Sequence, residues 1–319
     1  MDGRRLRIVF MGTPEFAATC LETLLEGRHE VVGVVTAPDR ESGRGRKISQ
    51  SAVKKLALEK GLPIEQPAKL REEGFLEILK GWNADLGVVV AFRMLPEVVW
   101  SMPKMGTVNL HGSLLPQFRG AAPIQRAIMA GAKESGATTF LLSHDIDTGD
   151  VLGRVRLEIG LDENAGSLHD RILDAGKHLL AETVNELAEG VAEVKPQSEF
   201  ILGESELLEA PKLFKEDRII DWNRSSTDIH NLIRGLSPYP GAITYLPEAE
   251  KDPIKILSTR QSDIKGLAPG EILMKENRFI VGVKDGALEV RSIQPPGKSA
   301  MEVEDFLRGA RTSLEKFVS

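Results

Sequence analysis

Apolar positions along this chain fall into two alternating kinds of run. Short, nearly unbroken stretches such as "RRLRIVFMG", "HEVVGVVTA", "ADLGVVVAF" and "GTVNLH" read as strands. Between them lie stretches with apolar residues every three or four positions, "PEFAATCLETLLEG", "SQSAVKKLALEKG" and "AAPIQRAIMAG", which read as helices. The first of these ends at Gly27, and Ser49 or Ser51 is positioned to cap the second. "GATTFLLSHD" and "DVLGRVRLEI" add two strands, and residues 166–190 form a long amphipathic helix. The apolarity of "ADLGVVVAF" is that of a strand covered on both faces. Strands alternating with helices predict an α/β domain, a mostly parallel sheet with helices on both faces and its sites at the carboxyl ends of the strands. His111, the loop over 37–49 and the turn at Gly12 all fall on that edge.

The pattern changes near residue 190. Residues 191–208 open the polar, irregular stretch "VAEVKPQSEFILGESELLEAPKLF", which reads as a linker. Beyond Ser237 come short strand-like runs broken by Pro and Gly, "GAITYL", "PIKILST", "GEILM", "RFIVGV" and "ALEVRSI", with a hairpin turn at Asp285-Gly286 and a closing helix "VEDFLRGAR". Such a series predicts a small barrel. The expected division is 1–190, a linker over 191–208, and a second domain over 209–319.

The 319 residues, 41% hydrophobic and 28% charged, suit a soluble protein of two domains. The longest apolar runs are far shorter than a membrane span. Cys20 is the sole cysteine, and the amino terminus lacks the pattern of a secretory leader. A cytoplasmic location is expected. The net charge of -6 argues against broad nucleic-acid binding and confines any RNA contact to a local patch.

Four stretches carry candidate chemistry. "FMGTPEF" joins the first strand to the first helix where a dinucleotide fingerprint would sit, but offers only Gly12, so it reads as a tight turn lining a pocket. "RESGRGRK" places Arg40, Arg44, Arg46 and Lys47 around two glycines; it is either a solvated loop or a basic finger for phosphates. "SHDIDTGD" supplies His144, Asp145, Asp147 and Asp150, without the fixed geometry of a metal motif; it reads as an Asp-rich turn, one of whose carboxylates can orient a histidine such as His111. Arg93, in "AFRMLP", can bind an anion or pair with a carboxylate.

The most informative stretch is "NLHGSLLPQFRG". Asn109, His111 and Ser113 recur at period two and would share one side of an extended strand end. An amide, an imidazole and a hydroxyl there suit oxyanion stabilisation and proton transfer. Ser113 as a nucleophile is the weaker alternative, because the Gly-x-Ser-x-Gly elbow is missing.

"NLHGSLLPQFRGAAPIQRAI" followed by "HDIDTGD" resembles the signature of the 10-formyltetrahydrofolate-dependent formyltransferases. "IVFMGTPEFA", "APDRESGRGRK", "APKLFKEDRIIDW" and "LSPYPGA" extend the resemblance, in order, over nearly the whole chain, and match the branch that uses charged initiator tRNA. The resemblance implies a Rossmann-like formyltransferase domain plus a C-terminal OB-like β-barrel that contacts tRNA. It implies Asn109, His111 and Asp147 as the catalytic set. It implies folate along Ser113, Leu114, Leu115 and Pro116, and initiator methionyl-tRNA on Arg40, Arg44, Arg46 and Lys47, with Arg44 in the place of the family's key arginine. The implied reaction moves the formyl group of 10-formyltetrahydrofolate to the α-amine of the methionyl-tRNA, with no metal and no covalent intermediate, in a monomer. The chain departs from the family's usual pattern at Arg93 and at Gln117-Phe118, where Arg-Trp is common. Rival readings are a formyltransferase for an aminosugar nucleotide, a non-catalytic RNA-binding protein, and, last, a nicotinamide oxidoreductase.

Overall fold

The computed structural model describes residues 4–42, 47–201, 206–247, 252–275, 277–309 and 315–318. Two compact units divide the chain. The first comprises 1–119, 136–157 and 171–208, and the second 120–135, 158–170 and 209–319.

Along the first part of the chain run β1 (Arg7–Gly12), α1 (Glu15–Leu25), β2 (Glu30–Val35), β3 (Arg40–Ser42), β4 (Lys47–Ser49), α2 (Ala52–Glu59) and β5 (Ile64–Glu65). There follow α3 (Glu73–Gly81), β6 (Leu86–Val90), α4 (Glu97–Trp100), β7 (Thr107–His111), α5 (Pro123–Met129), β8 (Glu134–Leu141), β9 (Val151–Glu158) and α6 (Ala165–Glu189). A seven-stranded sheet takes the order β5-β2-β1-β6-β7-β8-β9. The pairs from β5 through β7 are parallel, and β8 runs antiparallel to β7. The expectation of a mostly parallel sheet therefore holds through β7. All five residues of β6 are buried, as its uniform apolarity requires. One apolar cluster joins Val9, Met11 and Val89 of the sheet to Phe75 and Leu79 of α3, a helix that the sequence reading did not isolate.

Gly12 is a packing necessity. A Cβ there would lie 2.6 Å from the Ala17 Cβ and 3.0 Å from the Val90 carbonyl oxygen, so only glycine lets α1 start this close to the sheet. Ser51, one of the two expected caps, accepts a hydrogen bond from the Lys54 amide and starts α2.

The stretch read as a structureless basic loop contains a two-stranded hairpin. β3 and β4 pair antiparallel, Arg40 with Ser49 and Ser42 with Lys47, on either side of residues 43–46. The 191–208 segment, expected as a linker, belongs to the first unit. Lys195 exchanges two backbone hydrogen bonds with Val151, and the Phe118 amide donates to the Leu208 carbonyl.

The second unit adds α7 (Ser226–Leu236), β10 (Ala242–Thr244), β11 (Ile254–Gln261), β12 (Ile272–Lys275), β13 (Arg278–Val283), β14 (Gly286–Gln294), β15 (Met301–Glu302) and α8 (Val303–Gly309). The sequence reading missed α7, although Ser225 caps it and its apolar residues Ile229, Ile233 and Leu236 recur at helical spacing. The antiparallel sheet has the order β10-β11-β14-β13-β12, with β15 beside β14. Its end strands do not pair with each other along this order. Instead, residues 315–318 bond to both sides: Val318 exchanges hydrogen bonds with Tyr245, and Phe317 donates to Gly270. The arrangement matches an OB-like barrel that strand pairing leaves open. Its core gathers Trp222, Phe279 and Phe317, with Trp222 and Phe317 stacked at 5.7 Å and the Trp222 indole donating to Thr244.

Candidate active site

β1, β2, β6 and β7 run parallel, so the turn at Gly12, the chain beyond Val35 and His111 share the carboxyl edge of the sheet. His111 is the last residue of β7, and Asn109 lies two residues before it, on the same side of the strand. The Asn109 side-chain amide has no hydrogen-bond partner among the described residues and remains available to a ligand.

His111 is buried, and its two ring nitrogens have different duties. Nε2 lies 2.9 Å from the Phe118 carbonyl oxygen, which can only accept, so Nε2 carries a proton and donates it. Nδ1 faces the Asp147 carboxylate at 3.7 Å. Nδ1 is therefore the position at which this ring can gain or lose a proton without breaking its anchor.

Asp147 arrives by a route that spacing does not reveal. Thr138 of β8 pairs with His111, whereas Leu141, the last residue of β8, pairs with Val108 near the start of β7. The chain thus leaves β8 at the far end of β7 and must fold back to bring Asp147 to His111. The fold-back is tight. Asp147 adopts φ +54, and a Cβ on Gly149 would sit 1.6 Å from the Leu141 carbonyl oxygen. Ser143 and Thr148 close the turn at 2.9 Å, and Thr148 also donates to the Asp145 carbonyl.

Ser113 departs from the period-two reading. β7 ends at His111, and the fully buried Ser113 hydroxyl donates to the Gln117 carbonyl at 2.6 Å. It braces the turn that Ser113, Leu114, Leu115 and Pro116 form. Thr138 was missed by the sequence reading. Its hydroxyl donates to the Ser113 carbonyl at 2.7 Å and accepts from the Leu115 amide at 3.1 Å, clamping both sides of that turn. The only signal was a pair of hydroxyls in the buried strand "GATTFL".

Of the expected basic finger, Arg44 and Arg46 lie outside the described residues, and for Lys47 only the backbone is described. Arg40 is exposed at the base of the hairpin. That base is anchored: Lys54 pairs with Asp39 at 2.6 Å, and Gln66 donates to Asp39 and to the Ala37 carbonyl. The Gln66 and Lys54 hydrogen bonds hold the Asp39 carboxyl below its usual range. Arg93 has no carboxylate partner among the described residues. It donates to the Ala68 and Pro67 carbonyls and lies over the Phe92 ring. Burial, and then the like charge of Arg40, lower its pKa.

His144, Asp145 and Asp150 do not join Asp147 in a cluster. His144 is exposed, with its ring edge-on to Trp100 at 5.6 Å and its Nε2 3.5 Å from Glu97. Among the described residues, no three His, Cys, Asp or Glu side chains are placed to hold a metal ion. No described helix is long and apolar enough to cross a membrane.

Comparison with known proteins bears on this geometry. Residues 6–184 match the family described as "Formyl transferase", and residues 212–311 match "Formyl transferase, C-terminal domain". The methionyl-tRNA formyltransferase of Bacteroides fragilis is 49% identical over 313 residues, covering 97% of this chain and 96% of that protein. The Flavobacterium johnsoniae protein of the same name is 43% identical, covering 98% of each chain. Among solved structures, the N-formyltransferase of Helicobacter canadensis, in complex with folinic acid and dTDP-3-aminofucose, has a TM-score of 0.64 at 18% identity, covering 89% of this chain and 98% of that one. HypX of Aquifex aeolicus, in complex with tetrahydrofolic acid, gives 0.63 at 17%, covering 95% of this chain and 47% of that one. At such identities the structures speak for the fold alone.

Proposed function

This chain belongs to the formyl transferase family, and from that premise we propose that it moves the formyl group of 10-formyltetrahydrofolate to the α-amine of methionyl-initiator tRNA. The observation that supports the reading is the approach of Asp147 to His111 at the end of β7, two residues beyond Asn109. It occurs in a chain 49% identical, over nearly its whole length, to a methionyl-tRNA formyltransferase.

The steps follow from the chemistry of the groups. The amine nitrogen attacks the formyl carbon, and a C–N bond forms as the carbonyl oxygen gains negative charge. The unengaged Asn109 amide donates to that oxygen. His111, anchored through Nε2, offers Nδ1 as the second group, and Asp147 faces that nitrogen at 3.7 Å. The bond to the folate nitrogen then breaks. That nitrogen takes the proton released by the amine, relayed through Asp147 and a water. The products are formylmethionyl-tRNA and tetrahydrofolate. The nucleophile is the substrate's amine, in keeping with a Ser113 hydroxyl committed to its turn.

The turn from Ser113 to Pro116, clamped by Thr138, is the proposed folate cradle. Arg40, Arg44, Arg46 and Lys47 are the proposed contacts to the tRNA backbone, and residues 209–319 are a proposed second contact surface. We place the reaction in the cytoplasm, in a monomer. The deciding experiment supplies the enzyme and formyl donor with charged initiator tRNA, charged elongator tRNA or an aminosugar nucleotide. Transfer to the initiator tRNA alone is expected. Transfer to the sugar instead would replace the reading with the sugar branch of the family, and no transfer at all would refute it.

A further inference from the structure

Gln197 lies between the two stretches that match the family, 6–184 and 212–311, in the segment that composition marks as a linker. It opens a short 3-10 turn, Gln197–Phe200, and is 5% exposed. Its carboxamide makes four hydrogen bonds. Nε2 donates to the Asp147 carbonyl at 2.9 Å and to the Gly149 carbonyl at 2.8 Å. Oε1 accepts from Arg119 Nε at 3.1 Å and Nη2 at 2.7 Å. Arginine can only donate and a carbonyl can only accept, so the partners fix which end of the amide faces which. Turning the amide over would break all four bonds.

The two ends of this amide hold the two segments that bring His111 and Asp147 together. On one side is the backbone of the Asp147 turn, kept at φ +54. On the other is Arg119, which follows Phe118, the residue whose carbonyl anchors His111 Nε2. We propose that Gln197 is a positioning residue for formyl transfer: it sets the separation of Asp147 from His111 by tying the Asp147 turn to the 118–119 turn. The inference rests on the formyl-transfer reading. It makes residues 195–201 part of the catalytic framework of the first unit.

The test compares Gln197→Glu, Gln197→Met and Phe200→Ala with the unsubstituted chain in the formyl-transfer assay, reading kcat and both KM values. Gln197→Glu keeps an acceptor for Arg119 but turns an anion toward the Asp147 and Gly149 carbonyls. Gln197→Met keeps the length and loses all four bonds. Phe200 ends the same 3-10 turn, with the Arg154 guanidinium 4.4 Å from its ring centre. Misplacement by about an ångström can cost on the order of 10²-fold in rate, so kcat should fall about 10- to 100-fold in both Gln197 variants. Both KM values should stay within about twofold of the unsubstituted chain, as expected when only the geometry of the transition state is lost. Phe200→Ala should keep kcat within about threefold, because it leaves the four bonds of Gln197 in place. Unchanged kcat in Gln197→Glu, a loss confined to KM, or an equal loss in Phe200→Ala would overturn the proposal. If the Gln197 variants do not fold, Arg119→Ala is read instead. A fall in its kcat at constant KM supports the tie, and an unchanged kcat refutes it. Failure of the unsubstituted chain to transfer formyl would refute the functional reading instead, so the two failures are distinct.

Discussion

At the residue scale, the site is built by giving each polar atom one duty. The Phe118 carbonyl takes Nε2 of His111, the Gln117 carbonyl takes the Ser113 hydroxyl, and the Asn109 amide has no partner among the described residues. If Asn109 donates to the developing oxyanion, Asn109→Ala should lower kcat by about 10²–10³ while tRNA binding is retained. Steady-state kinetics with a parallel tRNA-binding measurement checks this, and near-normal turnover would remove Asn109 from the mechanism. Thr138→Val keeps the shape of the side chain but leaves the Ser113 carbonyl and the Leu115 amide without their partner. Net hydrogen-bond contributions of about 1 kcal/mol each predict folate binding weakened by roughly 5- to 30-fold. A fluorescence titration with folate reads it, and an unchanged Kd would mean that folate does not use this turn.

At the scale of elements, two local structures carry predictions. Ser51 caps α2 and also bonds Thr36, just past the end of β2, at 2.7 Å. Ser51→Ala should therefore cost about 1 kcal/mol or somewhat more of stability, read from urea unfolding. An unchanged midpoint would mean that the cap contributes nothing. The β3–β4 hairpin is anchored at its base through Asp39, Lys54 and Gln66, and the proposed tRNA-contacting residues fall in this part of the sequence. If it grips phosphates, KM for tRNA should rise steeply with salt, and Arg44→Ala should lower that slope while sparing folate binding. Equal loss of folate and tRNA binding would point to a folding defect. Spacing read this hairpin as bare loop because glycines and arginines carry no period-two pattern, and its pairing is a matter of backbone hydrogen bonds. The helix α7, by contrast, was legible: Ile229, Leu232, Ile233 and Leu236 recur at helical spacing and pack in the core of the second unit.

At the scale of the whole molecule, buried carboxylates govern how the chain meets acid. Glu289 is 1% exposed in the second unit, where Arg260, Arg278 and Arg291 surround it. Burial alone would raise its pKa, but the hydrogen bonds from Arg291, Arg278 and Arg260 outweigh burial and bring it below its usual range. Asp85 in the first unit is lowered in the same way: burial opposes, and the Arg7 amide with Lys104 prevails. A carboxylate with a depressed folded pKa adds stability above its unfolded value, roughly 4 for such groups, and that stability is lost as pH falls through the folded value. Stability should thus fall as pH drops below about 4. Glu289→Gln should be less stable at neutral pH and less sensitive to acid, as thermal unfolding across pH would show. A variant as acid-sensitive as the unsubstituted chain would exclude Glu289 as a source of the effect. By itself, the sequence determined what depends on neighbours in the chain: the βα alternation of the first part, the turn at Gly12, the strand that ends in His111, and the family motifs around Asn109 and Asp147. Only the tertiary structure decided what depends on distant segments meeting. The fold-back that brings Asp147 to His111 is set by the antiparallel register of β8 on β7. The reach of Gln197 into that turn spans fifty positions of chain, a separation to which no local pattern of hydrophobic and polar residues responds.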